Sequence, residues 1–120
     1  MNVLILEDRW KRVELMLPHF PYAVWCRQMK DFDRRIRFAR IWDLLFLDHD
    51  LDAAPDYDGR TGMAAAEWLA GSDVIAWGVI IHSTIHQRAA EMRSLLLRRF
   101  HVELMPFEDV LQHNLGKFSF

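Results

Sequence analysis

The chain has 120 residues, 52% of them apolar and 27% charged, with a formal net charge of −2. That composition supports a single domain over residues 1–120 with a core of its own, and excludes a disordered, collagen-like or polycationic protein. The longest apolar stretch, Val74–Ile81, is interrupted by Gly78 and falls far short of the roughly 20 residues of a membrane span, so no membrane partner is expected. Met1-Asn2-Val3-Leu4 carries no basic leader, and the single cysteine, Cys26, has no partner for an internal disulfide. Both point to a cytoplasmic protein.

In chain order, Val3–Leu6 is a continuous apolar run that stops at Glu7-Asp8, the pattern of a strand covered on both faces. Arg9 to Leu17 spaces Trp10, Val13 and Met16–Leu17 as a helix does, ending at Pro18. Tyr22–Cys26 reads as a second strand. Gln28 to Arg40 reads as an amphipathic helix with Met29, Phe32 and Ile36 on one face. Leu44–Leu47 repeats the first strand pattern and runs into Asp48-His49-Asp50. Pro55 and Gly59 mark a loop. Thr61 is a helix N-cap before Met63–Leu69, and Gly71 closes that helix. Val74–Ile81 is the fourth strand and leads into His82-Ser83-Thr84. A helix over Gln87 to Phe100, a strand over Val102–Met105 and a helix over Glu108 to Leu115 complete the chain.

Five β-α units predict an α/β fold, a doubly wound five-stranded parallel sheet with helices on both faces. Such sheets collect ligands at the carboxyl ends of their strands. There this sequence concentrates its polar groups: Glu7-Asp8, Asp48-His49-Asp50 and His82-Ser83-Thr84. The charges are also segregated along the chain. Six aspartates and no Lys or Arg fall between Asp43 and Asp58, while six basic residues fall between Arg27 and Arg40.

An acidic pair after strand one, an Asp ending strand three, a Ser ending strand four and a Pro-Phe after strand five resemble the receiver domains of two-component response regulators. The resemblance covers essentially the whole chain. It implies a flavodoxin-like strand order of 2-1-3-4-5 and a divalent cation, Mg²⁺ or Mn²⁺, held by Glu7, Asp8 and Asp48 with the backbone carbonyl of Asp50. It also implies Asp48 as phosphoacceptor, Ser83 as the hydroxyl on the phosphoryl oxygen and a cis Met105–Pro106 bond. Receivers carry a lysine where this chain has Met105, and a thioether cannot neutralise a phosphoryl group. With His49 after Asp48, His82 before Ser83 and His86 four residues further on, the chain looks like the cyclic-phosphate-processing receiver-like branch of prokaryotes and phages. That branch implies action on a phosphate-containing small molecule or RNA end.

The residues carry this chemistry in more than one way. Converging carboxylates raise one another's pKa unless a cation lies between them, and hard oxygen donors suit Mg²⁺ or Mn²⁺; the same acids would also serve as a solvated rim. His49 and His82 are candidate catalytic groups beside Asp48 and Ser83, as metal ligands or as general acid and base, or they hydrogen-bond a neighbouring carbonyl or carboxylate. Arg60, Thr61 and His86 are candidate substrate contacts; Arg60 would clamp a phosphate or pair with a nearby aspartate. Three functions follow: phosphoester processing, a stand-alone receiver phosphorylated at Asp48 that regulates a protein partner, and a catalytically silent interaction module.

Overall fold

The computed structural model describes residues 1–83 and 86–112. Strands and helices alternate: β1 (Val3–Leu6), α1 (Trp10–Met16), β2 (Val24–Cys26), α2 (Met29–Phe38), β3 (Ile41–Leu47), α3 (Gly62–Ala70), β4 (Ile75–Ile81), α4 (His86–Leu96), β5 (Val102–Leu104) and α5 (Phe107–Gln112). All five strands are parallel, in the order β2-β1-β3-β4-β5. This is the expected doubly wound, receiver-like sheet.

Side-chain alternation along each strand builds two cores. Leu4, Leu6, Leu45 and Leu47 face one side, where Phe32, Ile36, Leu69, Met92 and Leu96 of α2, α3 and α4 meet them. Val3, Ile5, Leu44 and Phe46 face the other side, where Val13 and Met16 of α1 and Phe107 and Val110 of α5 close over them. Strands buried on both faces need apolar residues at every position, which is why β1 reads as an unbroken run rather than an alternating one.

Several boundaries differ from expectation. β3 begins at Ile41, because Ile41 and Trp42 pair with Ile75 and Ala76 of β4 before the continuous run starts. The predicted last turn of the fourth helix is a non-helical turn after Leu96, in which Phe100 buries against the first core. The cis Met105–Pro106 bond is not found: no described peptide bond is cis. The trans form is the intrinsically favoured one for a prolyl bond. The Pro106 carbonyl accepts the amides of Asp109 and Val110 at the head of α5. The predicted end of the last helix, residues 113–115, lies outside the described residues. Among the described residues, no helix is long and apolar enough to cross a membrane.

The segregated charges meet in space. Lys30 of α2 pairs with Asp56 of the β3–α3 loop, and Gln28 Nε2 donates to Asp56 Oδ1 at 2.7 Å while Gln28 Oε1 accepts the Asp58 amide at 3.1 Å. Arg60 binds Asp33 at 2.7 Å and Asp58 at 2.9 Å. Part of the basic helix thus serves as the anchor for the acidic loop.

Candidate functional site

The parallel ladder continues one residue past each strand. The amide of Glu7 donates to the Cys26 carbonyl, Asp48 to Leu6, His82 to Leu47 and Met105 to Ile81, all at 3.0–3.1 Å. Glu7, Asp48, His82 and Met105 therefore stand side by side in one row across the sheet. Glu7, Asp48 and His82 each lie two residues beyond a member of the second core (Ile5, Phe46 and Ile80), and Met105 itself belongs to that core, so all four face α1 and α5.

Within that row Glu7, Asp48 and His82 offer ligand atoms that all lie within 4.8 Å of one another, and all three side chains are buried. His82 Nε2 is 3.2 Å from Glu7 Oε1, and its ring lies between those of Phe46 and Phe107. The Arg9 amide donates to Glu7 Oε2 at 3.0 Å, and the Trp25 indole donates to the Glu7 carbonyl at 2.7 Å. The His49 amide donates to Asp48 Oδ1 at 2.8 Å. Asp8 is buried as well; its Oδ2 accepts the Ala53 amide at 2.8 Å, tying the acidic loop to the site. Asp8 Oδ1 and His82 Nδ1 are buried with no hydrogen-bond partner among the described residues.

These acids are electrostatically frustrated. Burial, reinforced by the charges of Glu7 and Asp8 and opposed by Arg12 and the His49 amide, pushes the Asp48 carboxyl up to about 8. Burial, together with the adjoining Glu7 carboxyl, pushes Asp8 up to about 6. Burial also works against the ionised form of Glu7. The His82 hydrogen bond and charge, the adjoining Asp8 carboxyl and the Arg9 amide outweigh it and hold Glu7 down at about 2. Buried carboxylates pressed together in this way are relieved by a cation. Two carboxylates and an imidazole, with the unpartnered Asp8 oxygen beside them, form a donor set that fits a divalent ion. The imidazole widens the choice from Mg²⁺ towards Mn²⁺.

The remaining candidates are distributed around this row. Strand alternation turns His49 away from Asp48: its Nδ1 meets Asp50 Oδ1 at 2.7 Å, and it lines a groove of about 960 Å³ between α3 and α4. Thr61 lines the same groove and caps α3, its Oγ1 accepting the Met63 amide at 3.2 Å. The Asp50 side chain is thereby directed to His49. Ser83 is buried one residue beyond His82. Arg60 is bound by Asp33 and Asp58 on α2 and the loop. The side chain of His86 lies outside the described residues.

Arg12 is the residue that the sequence reading passed over. From α1 its Nη1 reaches Glu7 Oε1 at 3.2 Å and Asp48 Oδ2 at 3.7 Å, and its guanidinium lies 5.1 Å from the centre of the Phe107 ring. Its position one helical turn after Asp8 was the available signal, but the expected cation belonged to β5. Gly62 opens α3. A Cβ there would lie 1.8 Å from the Asp48 carbonyl oxygen, so only glycine lets the head of α3 approach the site.

A family model described as the cyclic-phosphate processing receiver domain matches residues 3–98. The chain belongs to that family. No curated protein matches it. The match runs from β1 into the turn after α4 and takes in Glu7, Asp8, Arg12, Asp48 and His82. The receiver-like resemblance and the link to cyclic phosphate therefore stand together. In this cyclic-phosphate processing receiver domain, Met105 is buried among the apolar residues of the second core, where a receiver carries its lysine.

Proposed function

We propose that the domain performs metal-dependent phosphoester processing on a cyclic phosphate, carried by an RNA end or a nucleotide. The observation that carries this reading is the buried row of Glu7, Asp48 and His82, two acids and an imidazole within 4.8 Å, in a chain of this family. Glu7, Asp48 and His82, with Asp8 beside them, would hold Mg²⁺ or Mn²⁺. When bound, such an ion withdraws charge from a phosphoryl group and acidifies water.

The chain's own residues supply the rest. Asp50, accepting from His49 Nδ1 at the α3–α4 groove, would leave Nε2 to exchange a proton with the leaving oxygen of a substrate that extends from the row of acids over the strand ends into that groove. Ser83 and Thr61 would place hydroxyls toward the substrate oxygens, and His86, the first residue of α4, would join them. Arg60 would have to leave Asp33 and Asp58 to contact a phosphate. The stand-alone phosphoacceptor reading keeps Asp48 but has no cation from β5.

The test is a Mn²⁺- and Mg²⁺-supplemented screen of 2′,3′-cyclic nucleotides and cyclic-phosphate RNA ends, with acetyl phosphate labelling in parallel. Turnover should disappear in Asp48→Asn and fall at least tenfold in His82→Ala. Unchanged turnover in both variants sinks the reading. Labelling of Asp48 without turnover assigns the stand-alone receiver. Neither metal binding nor labelling assigns the silent module.

A further inference from the structure

Arg12 stands at the row of buried acids. Among the described residues it is the one Lys or Arg within ion-pairing distance of Glu7 or Asp48. Its side chain is 18% exposed, so it is held at the edge of the site rather than loose in solvent. One face of the guanidinium lies against Phe107, and only Nη1 contacts the acids. Nη2 and Nε make no hydrogen bond or ion pair among the described residues, so the three N–H donors on that edge of the planar fork remain. The fourth member of the row, Met105, is a buried thioether that cannot donate.

Resting on the phosphate chemistry proposed above, we propose that Arg12 is the phosphoryl-binding cation of this domain, supplied from α1 rather than from β5. The guanidinium bridges the acids and the substrate. Nη1 stays on Glu7 and Asp48, and the free edge donates to a non-bridging phosphoryl oxygen. Phe107 fixes the plane of the fork, and planar two-point donation to phosphate is what arginine does and lysine does not. Placing the cation on α1 frees the β5 position to be apolar, and Met105 packs there in the second core.

The experiment measures binding of inorganic phosphate to the Mn²⁺-loaded full chain by calorimetry. Mn²⁺ affinity is read separately by electron paramagnetic resonance, and folding by circular dichroism. Arg12→Gln should weaken phosphate binding about 10- to 100-fold, with Mn²⁺ affinity held or raised because a competing cation has gone. Arg12→Lys, which keeps the charge but loses the fork, should fall between the two. Phosphate binding unchanged in Arg12→Gln overturns the proposal. So does a parallel loss of Mn²⁺ and phosphate binding in both variants, which would make Arg12 a holder of the carboxylates. A parent protein that binds phosphate through Arg12 yet turns over no cyclic phosphate leaves this inference standing and removes the proposed function. A parent that binds no phosphate removes both.

Discussion

His82 Nε2 and Glu7 Oε1 meet 3.2 Å apart with neither side chain reaching solvent, although 75 residues separate them in the chain. The pair joins β4 to β1 across β3 and lies in the row with Asp48. His82→Ala removes a ring packed between Phe46 and Phe107 and a partner of a buried carboxylate. The expected loss is roughly 2–4 kcal/mol of stability. Mn²⁺ affinity should drop about 10- to 100-fold. Urea melts and a Mn²⁺ titration measure the two effects; full retention of Mn²⁺ affinity would take His82 out of the donor set.

The stability of the metal-free protein should fall as pH rises from about 5 to about 8. Asp8 and Asp48 have folded pKa values of about 6 and about 8, above the ordinary 3.8, so the folded state binds more protons than the unfolded one across that range. Their contribution is complete below the unfolded pKa and lost as pH rises through the folded one. Glu7, held at about 2, acts oppositely, but most of its effect falls below this window, because its unfolded carboxyl titrates at 4.5. Melting temperatures with EDTA should decline over this range, and Mn²⁺ should reverse the decline. A flat profile with EDTA would show that the acids are not frustrated.

Gly62→Ala should be far more damaging than Gly59→Ala. At Gly62 the new methyl would lie 1.8 Å from the Asp48 carbonyl oxygen, with backbone rather than a movable side chain in the way. The Gly62 amide also donates to the His49 carbonyl at 2.7 Å. Displacing α3 should cost roughly 3 kcal/mol and weaken Mn²⁺ binding. At Gly59 the φ of +88° strains an alanine, but nothing lies within 4 Å, so about 1 kcal/mol is expected with the site intact. Denaturant melts of the two variants check the contrast.

Arg60→Gln should loosen the β3–α3 loop without unfolding the domain. Its pairs with Asp33 and Asp58 are partly exposed, so solvent screening keeps the stability loss under about 1 kcal/mol. Amide hydrogen exchange should accelerate across residues 50–60 and stay unchanged in β1 and β3. Unchanged exchange in the loop would show that the Lys30–Asp56 pair and the Ala53–Asp8 hydrogen bond suffice to hold it.

The sequence by itself determined the order of elements, the parallel sheet and the strand ends at which polar groups collect. Those features are local: an unbroken apolar run such as Val3–Leu6 announces a strand buried on both faces wherever it is placed. It also contained the acids and histidines as a set. Which of them meet is a matter of register and alternation, and only the tertiary structure decided that. Asp48 and His49 are neighbours in the chain, yet strand geometry sends Asp48 toward α1 and α5 and leaves His49 with Asp50 at the α3–α4 groove. Arg12 looked like an ordinary exposed helix position until packing of α1 against Phe107 brought it to the row. The segregation of aspartates and basic residues was equally plain in the chain. Folding brings part of the two blocks together, and the near-neutral sum then becomes a set of specific contacts that hold the loop beside the site.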